Sequence, residues 1–140
     1  MSLNEIYVLD ANALIAYIED EDGADFIEDL FIKASNHGIS LFIHNLNLIE
    51  ILYHSNKKSS KTSAMKVYDD MKSFPISQVS EISDNILLEA CRLKSNYKLS
   101  LADAVGLATA IVYGGYFVTS DHHELDIIKK SENINILWFR

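Results

Sequence analysis

The sequence lacks the features expected of an exported or membrane-inserted protein. It has one cysteine, Cys91, so no internal disulfide can form and no CxxC metal or redox site exists. Its first residues show neither the basic region nor the apolar stretch of a signal peptide, and no apolar run approaches the roughly 20 residues that a membrane span requires. We therefore expect a cytoplasmic protein that does not enter a membrane.

Proline, glycine and positive charge are also scarce. One proline and five glycines leave no Gly/Pro/Ser linker that would separate two domains. A hydrophobic content of 49% is enough to build a core without disulfides, so we expect a single domain over residues 1–140. The formal charge of −8 argues against binding nucleic acid through a broadly basic surface, so any polyanion must be held locally.

Hydrophobic periodicity predicts strands that alternate with helices. Short apolar strands are expected at 5–9, 39–43, 76–79, 117–119 and 134–139. Helix starts are expected at Asn12, at Asn45 or Asn47 and at Ser100, and the lysine-rich residues 57–61 are expected to form a connector. Such alternation requires parallel pairing and right-handed crossovers. The predicted fold is a three-layer α/β/α sandwich with a central, mainly parallel sheet.

Four carboxylates occur where a folding chain is expected to avoid them. Each lies within or directly after an apolar run: Asp10, Glu50, Asp103 and Asp121. A buried charge is unfavourable unless it is paired or bound to metal, and gathered like charges raise one another's pKa or require a cation. Ligands of open parallel sheets bind beyond the carboxyl ends of the strands. Because Asp10 and Asp121 each follow a predicted strand, we expect all four acids to share one crevice.

A crevice of carboxylates suits a hard divalent cation such as Mg²⁺ or Mn²⁺, which takes oxygen ligands. One such ion can lower the pKa of a bound water that then attacks a phosphodiester, and a second can stabilise the departing oxygen. No protein nucleophile is needed for this chemistry. The sequence accordingly predicts metal-dependent phosphodiester hydrolysis, although it shows no persuasive Ser/His/Asp or Cys/His arrangement.

Structural roles for several of these residues remain open alternatives. Ser100-x-x-Asp103 has the spacing of a capping box, and Asp121 can cap the helix that follows it. Asn12 fits a helix cap better than a catalytic group, although it can serve as both. Glu50 is the hardest acid to explain structurally, because its sequence neighbours on both sides are aliphatic.

Four motifs, in order along the chain, resemble those of the PIN-domain nucleases. They are Val-Leu-Asp-Ala-Asn at 8–12, Asn-Leu-Ile-Glu-Ile-Leu at 47–52, Leu-Ala-Asp-Ala at 101–104 and Val-Thr-Ser-Asp at 118–121. The resemblance covers nearly the whole chain, which is most similar to the toxin ribonucleases of VapBC-type toxin–antitoxin pairs. It implies Mg²⁺- or Mn²⁺-dependent cleavage of RNA, a homodimer, and inhibition by a cognate antitoxin protein.

The resemblance also implies roles for individual residues. The acidic catalytic and metal-binding set is matched by Asp10, Glu50, Asp103 and Asp121. Asn12 and Thr119 match polar positions that orient a carboxylate or a metal-bound water. Glu124 and Asp126 are further candidate ligands, and the sequence does not decide whether either joins the site.

One departure from the family pattern concerns positive charge. Family members often place an arginine near the active site, whereas the arginines here are Arg92 and Arg140. Contact with RNA is therefore expected to depend on lysines, with Lys57, Lys58 and Lys61 as candidates. The same residues also fit an ordinary solvated connector.

Two other functions remain compatible with the sequence. A catalytically silent PIN-like domain would keep the fold and serve as a scaffold for RNA or protein, but the presence of all four acids disfavours it. A receiver-type signalling domain would be phosphorylated on an aspartate. That function requires paired acids after the first strand, where Asp10 stands alone.

Overall fold

Five parallel strands form the central layer, in the order β3-β2-β1-β4-β5. The computed structural model describes residues 4–58 and 61–140, without the side chains of residues 58 and 61–63. The strands are β1 (Glu5–Leu9), β2 (Ile39–His44), β3 (Ser77–Val79), β4 (Tyr116–Thr119) and β5 (Ile136–Trp138). The helices are α1 (Ala11–Ile18), α2 (Ala24–Ser35), α3 (Asn45–Lys58), α4 (Lys61–Met71), α5 (Asp84–Asn96), α6 (Leu101–Tyr113) and α7 (His122–Ser131). Within the described ranges, no helix has the length and apolar character needed to cross a membrane.

Alternating side chains along the strands supply two hydrophobic cores, one on each face of the sheet. Where β1 pairs with β4, Leu9 lies beside Val118 on one face and Val8 lies beside Phe117 on the other. Helices α1 to α4 cover the first face, and α5, α6 and α7 cover the second. A parallel sheet requires this burial on both faces. The predicted three-layer α/β/α fold is confirmed.

The direction of strand addition reverses between β1 and β4. Strands β1, β2 and β3 succeed one another toward one edge, after which the chain returns and places β4 on the other side of β1. Such reversal points, beyond the carboxyl ends of the strands, are the usual ligand sites of open parallel sheets. Asp10 directly follows β1, and Asp121 lies just beyond β4. The strand order therefore brings these two carboxylates to the same crevice.

Helix α3 takes in part of the lysine-rich stretch. It continues through Lys58, and α4 begins at Lys61, so the connector predicted over 57–61 is wrong at residues 57, 58 and 61, while residues 59 and 60 lie outside the described residues. Lysine has a good helix propensity, which the apolar pattern alone does not register. At the start of α3, the Nδ1 of the buried His44 accepts the N–H of Leu46 at 3.1 Å. Burial lowers the pKa of His44, so a neutral imidazole acts as the cap.

Candidate metal centre

Asp10 is buried at the carboxyl end of β1, with only 3% of its surface exposed. Its Oδ1 accepts the Ala11 N–H at 2.7 Å, and its Oδ2 accepts the Thr119 hydroxyl at 2.8 Å. Burial raises the pKa of Asp10 to about 6 although these hydrogen bonds lower it, and the charges of Glu50 and Asp121 raise it further. The carboxylate is thus held in one orientation among groups that disfavour its charge.

Asn12 and Thr119 form a polar frame around Asp10. The fully buried Thr119 donates its hydroxyl to Asp10 and accepts the Asp121 N–H at 3.1 Å. The Nδ2 of Asn12 donates to Thr119 Oγ1 at 3.4 Å, and its Oδ1 accepts the Ser120 N–H at 3.3 Å. The predicted helix cap at Asn12 is wrong, because Asp10 itself caps α1. Asn12 instead joins α1 to the end of β4.

Three further carboxyl groups meet beside Asp10. Asp103 from α6 lies with Asp121 and Glu124 from the start of α7, and one oxygen of each is within 4.8 Å of the other two. Burial and then the charge of Asp10 raise the pKa of Asp103 to about 8, and a hydrogen bond with Glu124 also favours the protonated form. The Oε2 of Glu124 is buried without a hydrogen-bond partner among the described residues.

The helix starts that carry these acids are capped by side chains. Ser100 Oγ accepts the N–H of Asp103 at 3.1 Å, and Asp121 Oδ1 accepts the N–H of Glu124 at 3.3 Å. Both capping alternatives raised by the sequence are therefore present. An acid in the first turn interacts favourably with the helix dipole, which offsets part of the repulsion between the carboxylates. Capping and a place in the crevice are compatible.

Glu50 lies at the exposed rim of the crevice, on α3. Partial burial, and then the charge of Glu124, raise the pKa of Glu50. Among the residues whose side chains the structure describes, which leave out residues 58 and 61–63, no ion pair includes an acid of the crevice. We use the name acidic cluster for Asp10, Glu50, Asp103, Asp121 and Glu124. Their mutual electrostatic effects make them one negative centre.

The two candidates that follow Asp121 are placed differently. Glu124 points into the cluster, whereas the Asp126 carboxylate is 51% exposed and lies 3.3 Å from His122 Nδ1. The His122 ring also stacks on Trp138, with 4.0 Å between the ring centres. Asp126 therefore belongs to a surface contact between α7 and the end of β5.

The candidate RNA-contacting lysines are only partly described. Lys57 is exposed on α3, the helix that carries Glu50, and its ammonium lies 4.9 Å from the centre of the Tyr53 ring. The side chains of Lys58 and Lys61 lie outside the described residues. Of these three lysines, only Lys57 has a side chain whose position the structure describes.

Sequence reasoning assigned Asn47 only a helix start and missed its contact with Asp10. Asn47 is fully buried, and its Nδ2 lies 3.5 Å from Asp10 Oδ1 and 3.4 Å from the Ala102 carbonyl oxygen. Its Oδ1 has no hydrogen-bond partner among the described residues and faces Gly106, where an added Cβ would approach it to 2.7 Å. The available signal was spacing, because Asn47 precedes Glu50 by about one helical turn and shares its face.

A family comparison covers most of the chain. The sequence model of the PIN domain matches residues 7–130. The chain belongs to the PIN domain family. The matched range contains the whole acidic cluster together with Asn12 and Thr119. A comparison with curated proteins finds no match.

Solved structures share the fold of this PIN domain. A toxin–antitoxin complex from Klebsiella pneumoniae matches with a TM-score of 0.72 at 18% identity, over 96% of this chain and 98% of the other. VapBC2 from Rickettsia felis, bound to a DNA fragment from its promoter, matches with a TM-score of 0.72 at 19% identity, over 95% of this chain and 98% of the other. DNA-bound VapBC from Salmonella typhimurium matches with a TM-score of 0.73 at 14% identity, over 99% of this chain and 100% of the other. At such identities the likeness establishes the fold alone.

Proposed function

We propose that this PIN domain is a metal-dependent endoribonuclease and the toxin of a type II toxin–antitoxin pair. One observation carries the proposal: oxygens of Asp103, Asp121 and Glu124 meet within 4.8 Å of one another, beside the buried Asp10. Among the described residues, no cationic side chain is paired with them. Crowded carboxylates of this kind must either bind protons or bind a cation.

The acidic cluster has the donor atoms that Mg²⁺ or Mn²⁺ prefers, since both are hard ions that take oxygen ligands. The buried Oε2 of Glu124, unpartnered within the described ranges, is an oxygen that a cation would satisfy. A divalent ion held there supplies positive charge to a phosphodiester and lowers the pKa of water. The proposed ligands are Asp10, Glu50, Asp103 and Asp121, and the unpartnered Oε2 of Glu124 supports Glu124 as a further proposed ligand.

Other residues of the site hold Asp10 in place or are positioned to accept a proton. Thr119 and the Ala11 N–H hold one oxygen each of Asp10, so this carboxylate keeps its direction when the charge nearby changes. Asn12 holds Thr119 from α1. Glu50 is exposed and has a raised pKa, so it is placed to accept a proton from an attacking water at the rim. No side chain has to act as a nucleophile.

RNA and an antitoxin are the proposed partners. The motifs that resemble VapBC-type toxins support RNA as the substrate, and exposed Lys57 on the helix of Glu50 can contact its backbone. Lys58 and Lys61 are proposed to extend this contact. The similar structures from Klebsiella, Rickettsia and Salmonella are toxin–antitoxin or VapBC assemblies, which supports a cognate antitoxin for this chain. A cytoplasmic homodimer completes the proposal.

RNA cleavage by the purified protein tests the nuclease. Mixed cellular RNA should be cut in Mn²⁺, left intact in EDTA, and left intact by Asp10→Asn. Asp126→Asn is the matched control, because it removes an acid of α7 outside the acidic cluster and should cleave normally. Intact RNA with wild type and Asp10→Asn alike would contradict the proposal. RNA that is bound but not cut would favour the silent scaffold.

Growth of a bacterial host tests the toxin assignment separately. Expression of the wild type should arrest growth, whereas expression of Asp10→Asn should not. A small neighbouring reading frame that encodes a DNA-binding protein should restore growth when it is co-expressed. Cleavage in vitro without any growth defect would leave the nuclease and remove the toxin.

A further inference from the structure

A cavity of about 270 Å³ adjoins the acidic cluster on the α7 side. Its lining residues are Asn96, Tyr97, Lys98, His123, Glu124 and Ile127. Glu124 belongs to both the cavity and the cluster, so a molecule in the cavity lies directly beside the proposed metal ligands. Neither the family motifs nor the assignments made above give this cavity a role.

The lining combines groups that recognise a nucleotide. Tyr97 offers an aromatic ring, and the neighbouring Ile127 is an apolar side chain that is 61% exposed. Lys98 contributes an exposed ammonium, while Asn96 and His123 contribute donors and acceptors. Unpaired RNA bases are bound in this way, by stacking on aromatic or apolar surface and by hydrogen bonds to their edges.

One wall of the cavity is held in place from behind. The Tyr97 hydroxyl donates to Glu132 Oε2, and Glu132 also accepts two N–H groups of Arg92 at 2.8 and 3.0 Å. Arg92 in turn donates to Glu89 at 2.6 Å. These contacts fix the ring from its far end, so its position is set before any ligand arrives, which reduces the entropy lost on binding.

The sheet order defines a path for an extended strand. Helix α3 follows β2, Asp10 follows β1 and α7 follows β4, and these three strands are neighbours in the order β2-β1-β4. A strand laid across these carboxyl ends would pass the acidic cluster and reach the cavity, which shares Glu124 with it. Lys98 then supplies a positive charge on the far side of a centre that otherwise repels phosphate.

We propose that this cavity is the subsite for one unpaired nucleotide of the RNA strand, next to the scissile phosphate. The base lies against Tyr97 and Ile127, its edge faces Asn96 and His123, and Lys98 contacts the adjoining phosphate. This inference rests on the proposed nuclease function. It deepens that function by naming a place where the enzyme distinguishes unpaired RNA from a duplex, because a paired base must first be unpaired and unstacked, at a cost in free energy, before it can enter.

Binding of a labelled single-stranded RNA of about ten nucleotides tests the subsite directly. Each variant is built on Asp10→Asn, so that RNA is not consumed, and anisotropy is recorded in millimolar Mg²⁺. We expect Lys98→Ala to bind several-fold more weakly and to lower the slope of log affinity against log salt by about 0.7. We expect His123→Ala to bind about tenfold more weakly, through loss of a base contact.

Lys33→Ala is the matched control for charge. It removes the same unit of charge as Lys98→Ala from the exposed face of α2, on the other side of the sheet, and should leave affinity and salt slope unchanged. Tyr97→Leu, which removes the ring but keeps apolar bulk, should also weaken binding about tenfold. Lys98→Ala and His123→Ala change exposed residues, so they still test the subsite if Tyr97→Leu fails to fold.

The outcomes separate the subsite from the nuclease. If wild type cuts RNA while Lys98→Ala and His123→Ala, in the Asp10→Asn background, bind RNA as tightly as Lys33→Ala does, the cavity assignment is overturned and the nuclease stands. If wild type cuts no RNA but the two cavity variants still lose affinity, the nuclease falls and the subsite stands as a binding site. A salt slope that falls equally in Lys33→Ala and Lys98→Ala would also overturn the assignment.

Discussion

Helix α7 has acidic side chains at both of its ends, yet the two ends differ in how their charge is balanced. At its start, Glu124 meets Asp103 and Asp121, with no cationic side chain paired to them among the described residues. Just beyond its last residue, Glu132 forms two hydrogen bonds with the Arg92 guanidinium. Carboxyl groups therefore repel one another at the start of α7, whereas the carboxylate beyond its end is neutralised by Arg92.

The pKa values follow this difference. Hydrogen bonds from Arg92 and then Tyr97 lower the pKa of Glu132, whereas burial and then the charge of Asp10 raise the pKa of Asp103 to about 8. The ion pair at the end of α7 is a structural contact on the surface. The unbalanced start is a functional-site candidate, because strongly shifted carboxyl groups in a crevice are characteristic of sites that bind or react.

The largest expected effect comes from neutralising Asp103 of α6, which meets the start of α7, and it is compared with neutralising Glu132 just beyond the end of α7. Asp103→Asn should lower RNA cleavage on the order of a thousand-fold, beyond the roughly 10–100-fold loss typical of residues behind the ligands. Metal-free Asp103→Asn should melt at a higher temperature, because folding no longer has to accommodate a buried carboxyl with a raised pKa. Glu132→Gln should melt lower and keep the metal-induced rise in melting temperature. Gel-based cleavage assays and calorimetry measure these changes. Equal destabilisation by both variants would contradict the difference in charge balance between the two ends of α7.

A smaller effect is expected from the neutral group behind Asp10. Asn47→Ala should reduce cleavage roughly 10–100-fold and raise the Mn²⁺ concentration needed for half-maximal activity, because Asp10 loses a supporting contact. Asn56→Ala, an exposed position on the same helix, is the control and should behave as wild type. Equal activity of the two variants would show that Asn47 serves packing alone.

The acids beside the start of α7 and Glu132 beyond its end should show opposite dependences of stability on pH. The folded-state pKa values of Asp103 and Asp10, about 8 and about 6, exceed the ordinary value of 3.8, so the native state binds more protons than the unfolded state between about pH 4 and 8. The stability that these acids contribute is fully present at low pH and is lost as the pH rises toward 8. Glu132, with its lowered pKa, contributes stability that is lost only as the pH falls below its ordinary value of 4.5.

Melting temperatures of the metal-free protein between pH 5 and 8.5 measure this dependence. The wild type should melt progressively lower as the pH rises, and Asp103→Asn should show a flatter curve. Saturating Mg²⁺ should raise the melting temperature more at pH 8.5 than at pH 5.5, because the ion binds ionised carboxylates and competes with protons. A flat metal-free curve for the wild type would contradict the raised pKa values.

The smallest effect is expected at the balanced end. Arg92→Ala should lower the free energy of unfolding by about 1 kcal/mol, because the guanidinium is 40% exposed and solvent screens its contacts. This loss should shrink in high salt, and the metal-induced rise in melting temperature should be unchanged. Chemical denaturation with and without Mg²⁺ provides the measurement. A reduced metal response would show that the two ends of α7 are coupled.

Several elements were predictable because their signals are local. The bounds of β1 follow from the apolar run that ends at Leu9, and the cap at Ser100 follows from its spacing to Asp103. The connector predicted over 57–61 was wrong at residues 57, 58 and 61, because helix propensity continues where the apolar pattern stops. The helix cap predicted at Asn12 was wrong because Asp10, the residue directly before α1, provides the cap.

The sequence offered the four acids, and through the family resemblance Asn12 and Thr119, as candidates for the site, but it did not offer Asn47 as a support of Asp10. An acid within an apolar run is visible in a sequence, because it contradicts the pattern around it. Asn47 contradicts nothing locally, and the choice between Glu124 and Asp126 depends on which face of α7 meets α6. Both required the packed structure.

Composition and periodicity were sufficient for the α/β class, the alternation of strands and helices, and the four acids placed against apolar surroundings. These features can be read from the sequence because each of them depends on residues that are close together along the chain. The strand order, with its reversal between β1 and β4, came only from packing. That order joins Thr119 to Asp10 across 109 positions and closes the crevice. Contacts over such distances depend on how two faces of a sheet are covered, which no short stretch of sequence records.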